Sequence, residues 1–254
     1  MRFASLGSGS KGNGTVVEAG GTRVLIDCGF TLKDTEQRLA RLGLEGGQLD
    51  AILVTHEHGD HLGGVGRLAR RYRTPVYLTH GTARVWHDDA VPDIRRFDPD
   101  HGFTIGALDI EPFAVPHDAA QPCQYRIGHG SRWLGVISDL GHVTPHVVAR
   151  LDGCDALLLE CNHDPQMLAD GPYPYRLKQR VGGDFGHLSN RQSAALLQRL
   201  DRRRLQHLIL THLSEVNNTP ALARAAIIDV LEDDPAWCRC ADQGAGLAWC
   251  DLVA

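Results

Sequence analysis

The chain has 254 residues, 43% hydrophobic and 22% charged. That is enough to bury a large core, and it excludes an intrinsically disordered polypeptide. Lys and Arg number 26 against 31 Asp and Glu, so the net charge is −5, which argues against nucleic-acid binding over the whole surface but leaves room for a local basic patch.

No apolar run reaches the ~18 residues of a spanning helix, and Met1 to Ser10 holds no long apolar leader stretch. The seven cysteines are scattered, which reads as reduced thiols in a cytosol. The expectation is a cytoplasmic protein with no membrane partner.

Taken in chain order, Thr22 to Asp27 is a short β-rich run. Thr31 to Leu42 reads as a helix, capped by Thr31 and stopped by Gly43. Ala51 to Thr55 is a continuous apolar run, as in a buried strand. Pro75 to Thr79, Leu108 to Val115, Trp133 to Ser138, Ala156 to Leu159 and His207 to Thr211 read as further strands. Ser189 to Leu200 is a helix with Ser189 and Gln192 as its capping box, and Thr219-Pro220 opens a last helix. Cys238 and Cys240 read as two thiols on one face of a strand, and Leu247 to Val253 as an edge strand. The alternation points to an α+β or α/β class.

The 14 histidines are the unusual count. His56, His58, Asp60 and His61 follow the buried 51–55 strand as H-x-H-x-D-H. A turn at a strand end aims His56 and His58 to one side, with Asp60 and His61 at a helix start. Imidazole and carboxylate hold zinc-like ions while leaving a position open for water. The helical H-E-x-x-H motif is excluded, because position 60 is Asp. His117, Asp139 and His212 are each the first strong ligand after an apolar strand, so they are candidates to join the same rim. His142 is kept out of the ligand set.

This series resembles the metallo-β-lactamase superfamily over nearly the whole chain. The resemblance implies an αββα four-layer sandwich and a single domain over 1–254. On the run Ser8 to Asn13, Val115-Pro116-His117-Asp118, Glu160 to Asp164, Pro172 to Lys178 and Gly186 to Asn190, it resembles the YycJ/WalJ group, bacterial cytosolic proteins regarded as DNA exonucleases. Gly186-His187-Leu188-Ser189 is also similar to RNase Z, though no long insertion of the kind that carries the tRNA-binding arm is present.

The resemblance implies two divalent ions, Zn or Mn. One is held by His56, His58 and His117, the other by Asp60, His61 and His212, with Asp139 bridging. His187 is the implied general acid, oriented by Glu160, and Asp60 a proton acceptor. His163, Asp164 and Ser189 are candidates to line the cleft, the last at a helix N-terminus suited to phosphate. Arg176, Lys178 and Arg180, beside Tyr173 and Tyr175, and the cluster Arg67, Arg70, Arg71 and Arg73 are candidate contacts to a nucleic-acid substrate, DNA favoured. The alternatives are hydrolysis of a small ester, thioester, lactone or cyclic phosphodiester, and a non-enzymatic metal-holding module.

Overall fold

The computed structural model describes residues 1–231 and 235–253. In chain order they form β1 (Arg2–Gly7), β2 (Gly14–Ala19), β3 (Thr22–Ile26), α1 (Leu32–Arg41), β4 (Ala51–Leu53), α2 (Gly59–Leu62), α3 (Val65–Tyr72), β5 (Val76–Thr79), α4 (His80–Val85), β6 (Ile94–Phe97), β7 (Phe103–Ile105), β8 (Leu108–Ala114) and β9 (Cys123–His129). There follow β10 (Arg132–Ile137), α5 (Pro145–Leu151), β11 (Ala156–Glu160), α6 (Pro165–Asp170), α7 (Tyr175–Val181), α8 (Asn190–Gln198), β12 (His207–Thr211), α9 (Pro220–Leu231), β13 (Cys238–Cys240) and β14 (Leu247–Asp251). The class is α+β, as the alternation predicts. No helix among the described residues is long and apolar enough to cross a membrane.

The chain divides into two compact units that interleave along the sequence. The first is Met1–Ala114, Ala119–Arg132 and Asp242–Ala254, and the second is Val115–Asp118 and Trp133–Ala241.

The first unit holds a seven-stranded mixed sheet in the order β14-β1-β2-β3-β4-β5-β6 and an antiparallel meander of β7, β8 and β9. The expected edge strand is found as β14, paired antiparallel with β1. Leu25, Ile52, Val54, Leu68 and Leu78 are fully buried in its core. Each such side chain contributes about 1.5–3 kcal/mol. β4 pairs in parallel with β3 and β5, which explains its uninterrupted apolar sequence. Thr31 caps α1 by accepting from the Asp34 backbone N–H, as the sequence predicts.

The second unit holds the parallel strands β10, β11, β12 and β13. Its helix α8 carries the expected capping box of Ser189 and Gln192. Cys238 and Cys240 fall on β13, the first buried and the second half-buried. The sequence reading missed β1 and β2, whose Gly7 to Gly14 connection contains the S-G-S-x-G-N run.

Candidate metal centre

In the first unit, parallel register builds the histidine turn. Ile26 of β3 stands opposite Leu53 of β4, so Asp27 and Thr55 emerge side by side past the two strand ends. The Asp27 carboxylate accepts from the Thr55 N–H and from the Thr55 hydroxyl, each at 2.8 Å. The hydroxyl's only hydrogen is thereby committed, so at 2.9 Å it accepts from His56 Nδ1. That fixes the His56 tautomer, with the Nε2 lone pair turned towards His58 Nδ1 at 3.0 Å.

Asp27 also accepts from His61 Nδ1 at 2.8 Å, which leaves the His61 Nε2 lone pair 3.1 Å from Asn13 Nδ2. Asn13 Nδ2 also lies 3.4 Å from Asp60 Oδ2. His58 is the N-cap residue of α2, with Asp60 and His61 inside the helix. Glu57, the residue between the first two histidines, accepts from the Ala120 N–H and the Thr82 hydroxyl instead. Gly29 is held so close to the Asp60 carbonyl that any Cβ there would overlap it.

In the second unit, the same logic acts on three parallel strands. Ile137 stands opposite Leu159, and Glu160 opposite Thr211, so Asp139, Glu160 and His212 emerge at one edge. Asp139 and His212 adopt positive φ, 54° and 53°, and Asp27 does so in the first unit at 59°. Few non-glycine residues tolerate this region, and such strain concentrates at functional sites.

Glu160 is fully buried and works with both oxygens. Oε1 accepts from His187 Nδ1 at 2.8 Å and from His212 Nδ1 at 3.3 Å. Oε2 accepts from the backbone N–H groups of Leu140 and Leu188, at 2.9 and 3.1 Å. Burial pushes the Glu160 carboxyl up, but the facing His187 and His212 rings outweigh it and hold the group at about 2. Burial pulls His187 down, and the charge and hydrogen bond of Glu160, with Asp139, raise it above its ordinary value. His187 is 20% exposed, so it reaches solvent while its partner does not.

His117 Nδ1 donates to the Gly186 carbonyl at 3.1 Å, which leaves its Nε2 lone pair 3.7 Å from Asp139 Oδ1. Burial lowers the His117 pKa, favouring the neutral ring that a metal needs. Asp139, Glu160, His187 and His212 offer ligand atoms within 4.8 Å of one another.

One pattern unites the two units. In His56, His61, His117 and His212, Nδ1 faces an oxygen that accepts its proton, so Nε2 carries the lone pair. That is how metal-binding histidines are oriented by their surroundings. The residues therefore fit divalent cations; Asp27 carries no site signal in the sequence, and Asn13 enters there only as the end of the Ser8 to Asn13 run.

The expected substrate-side residues divide. Asp164 caps α6 by accepting from the Gln166 and Met167 N–H groups, and Ser189 caps α8. At that helix start the Asn190 N–H already bonds the His163 carbonyl and the Ser189 N–H bonds Gln192. Lys178 Nζ donates to the Ala169 carbonyl at 2.6 Å. Arg70 pairs with Asp88, and Arg71 lies over the Tyr72 ring. His163 is buried, its Nδ1 has no hydrogen-bond partner among the described residues, and burial pushes its pKa down to about 4. Arg176 is exposed on α7.

The chain matches the β-lactamase superfamily domain over residues 22–213 and belongs to that superfamily. Exodeoxyribonuclease YycJ of Bacillus anthracis is 36% identical over 237 residues, which cover 92% of this chain and 90% of that protein. Exodeoxyribonuclease WalJ of Streptococcus pneumoniae is 34% identical over 253 residues, covering 97% and 91%. The metallo-β-lactamase fold protein YhfI from Bacillus subtilis superposes with a TM-score of 0.76 at 20% identity, covering 96% of this chain and 98% of that one. The fold is thus the α+β sandwich of this superfamily, which implies divalent metal ions.

Proposed function

We propose that the chain is a two-metal-dependent phosphodiesterase acting as a DNA exonuclease in the cytoplasm, with residues 1–254 working as one metallo-β-lactamase-fold domain. The family match runs through segments of both compact units, and relatives similar over most of their length carry the name exodeoxyribonuclease. The observation that carries the reading is the common orientation of His56, His61, His117 and His212, each with Nδ1 spent on an oxygen and Nε2 left to bind.

In this proposal His56, His58 and His117 would hold one ion and Asp60, His61 and His212 the other, with Asp139 available to both. Zn or Mn suits a mixed imidazole and carboxylate set. When bound, such ions supply a water of lowered pKa and neutralise charge growing on phosphoryl oxygens. Asp60 takes a proton from the attacking water.

His187 protonates the leaving oxygen. Its Nδ1 is held by Glu160 at 2.8 Å, which leaves Nε2 as the nitrogen to serve the substrate, and its raised pKa keeps a proton available. On the substrate side, Arg176 is the residue proposed to meet phosphates. The thiol state of all seven cysteines suits a reducing compartment.

The test is release of nucleotides from end-labelled duplex DNA by protein of measured Zn or Mn content. Turnover with Mn or Zn that chelation abolishes supports the reading. Metal-loaded protein that releases nothing removes it.

A further inference from the structure

Tyr175 and Phe185 are the exposed aromatics among the large hydrophobic side chains of the described residues, 72% and 60% accessible. Both belong to the stretch that leads into His187. Water is a poor environment for these rings, yet the backbone beneath Phe185 is fixed. The Phe185 carbonyl accepts from the Asp118 N–H at 3.0 Å, the Gly186 N–H bonds the Gly183 carbonyl at 2.9 Å, and the His187 N–H bonds the Val181 carbonyl at 2.8 Å. Gly141 packs directly against Asp184 and Phe185, with no space for a Cβ. The ring is displayed from a pinned loop two residues before the proposed acid.

His142 explains how the ring is held. Its Nδ1 donates to the Asp184 carbonyl at 2.8 Å, and its ring stands at 84° to the Phe185 ring with centroids 6.4 Å apart. Such a T-shaped contact leaves at least one face of the phenyl ring open.

Tyr175 is fixed differently. Gln179 Nε2 donates to its hydroxyl at 2.8 Å across one helical turn. The ring borders a largely apolar cleft of about 460 Å³ with Pro165, Leu168, Ala169, Lys178 and Gln179.

We propose that Phe185 and Tyr175 are stacking platforms for successive unpaired nucleobases at the end of a strand whose scissile phosphate lies at His187. The inference rests on the phosphodiesterase reading above. Tyr175 precedes Val181 by six residues on α7, about 9 Å along a helix axis. Phe185, two residues before His187, is therefore assigned the base beside the cleaved bond, and Tyr175, further back on α7, a base farther along the strand. Arg176 offers a cation for the intervening phosphates, and Arg180 is tied to Asp118 at 2.5 Å. Asp184 and Asp170 are the exposed acids of this stretch, and the strand must pass on the arginine side. Stacking is blind to sequence, because every base has a π-face. The enzyme therefore takes frayed or single-stranded ends without base preference.

The test compares metal-loaded wild type with Phe185→Leu and Tyr175→Leu, which keep apolar bulk and lose the aromatic face. Binding is read by fluorescence anisotropy with a phosphorothioate-linked oligo(dT) hexamer, and with the same hexamer made abasic at its terminal nucleotides. Each leucine variant is expected to bind the dT hexamer about tenfold more weakly. All three proteins should bind the abasic hexamer equally, and Phe185→Trp should restore binding.

Equal binding of the dT hexamer by wild type and variants overturns the proposal. So does an equal loss on both hexamers, which makes the rings structural or marks them as a protein-docking face. Cleavage of a phosphodiester dT hexamer by wild type is followed in parallel. Cleavage without dependence on the rings removes this inference alone. Binding that depends on the rings without any cleavage keeps the platforms and removes the phosphodiesterase reading. Neither binding nor cleavage removes both.

Discussion

Asp27 accepts the Nδ1 proton of His61 at 2.8 Å and, with both its oxygens, the two hydrogens offered by Thr55. A single carboxylate thus sets the orientation of His61 directly and that of His56 through Thr55. Asp27 has a positive φ of 59°, a conformation unfavourable for a residue with a Cβ and retained where the surroundings impose it. Replacing Asp27 by Asn puts an amide where three donors converge. The expected outcome is a ten- to hundredfold loss of metal affinity, read by competition against a chelator of known strength. Unchanged affinity would show that the carboxylate does not orient the ligands.

Variants of Asp139 and His187 are expected to separate metal binding from chemistry. Asp139→Ala is expected to remove most bound metal, by elemental analysis, and with it all hydrolysis. His187→Ala is expected to keep its metal and lose roughly 10²–10⁴-fold in turnover, the usual contribution of a general acid. Loss of metal from the His187 variant would make that residue a ligand and overturn its role as acid.

These residues differ in how legible they were. The proposed ligands His56, His58, Asp60, His61, His117, Asp139 and His212 each follow an apolar strand, a pattern visible along the chain. Parallel register then carries Asp139, Glu160 and His212 to one edge. Asp27 gave no such signal. It closes a β-rich run like any turn aspartate, and its meaning arises only when β3 pairs with β4 and sets it against Thr55. Asn13 sits in a short glycine-rich turn and reaches His61 from 48 positions away. On the substrate side, charge and polarity in the sequence do not reveal who is already engaged. Asp164 and Ser189 cap helices, and Lys178 bonds a backbone carbonyl.

Thiol reactivity should follow burial. Burial pushes the thiols of Cys28 and Cys123 up to about 11 and about 12, and that of Cys161 higher still. Cys240 is half-buried, and its upward shift comes from partial burial opposed by Arg224. Because the thiolate is the reacting species, brief alkylation of the native protein should label Cys240 first, with Cys28, Cys123 and Cys161 labelled only after denaturation. Peptide mass spectrometry reads the order. Early labelling of Cys161 would contradict its burial beside β11.

The last prediction concerns His163. The ring is buried and Nδ1 has no hydrogen-bond partner among the described residues, so a charge there would be poorly solvated, and burial brings the pKa from 6.5 to about 4. The unfolded chain binds a proton at this residue as pH falls through 6.5, whereas the folded chain resists until about 4. Between those values the unfolded state holds more protons, so stability rises with pH. Above 6.5 both states are neutral and the effect vanishes. Below about 4 the loss is complete, and by linkage it reaches about 3 kcal/mol. A His163→Gln variant does not titrate in this window. Urea unfolding of both proteins from pH 7 to 4 should therefore give a difference in unfolding free energy that shrinks, in wild type's disfavour, as the solution becomes acidic. A difference that stays constant across that range would mean His163 is not the group that resists protonation.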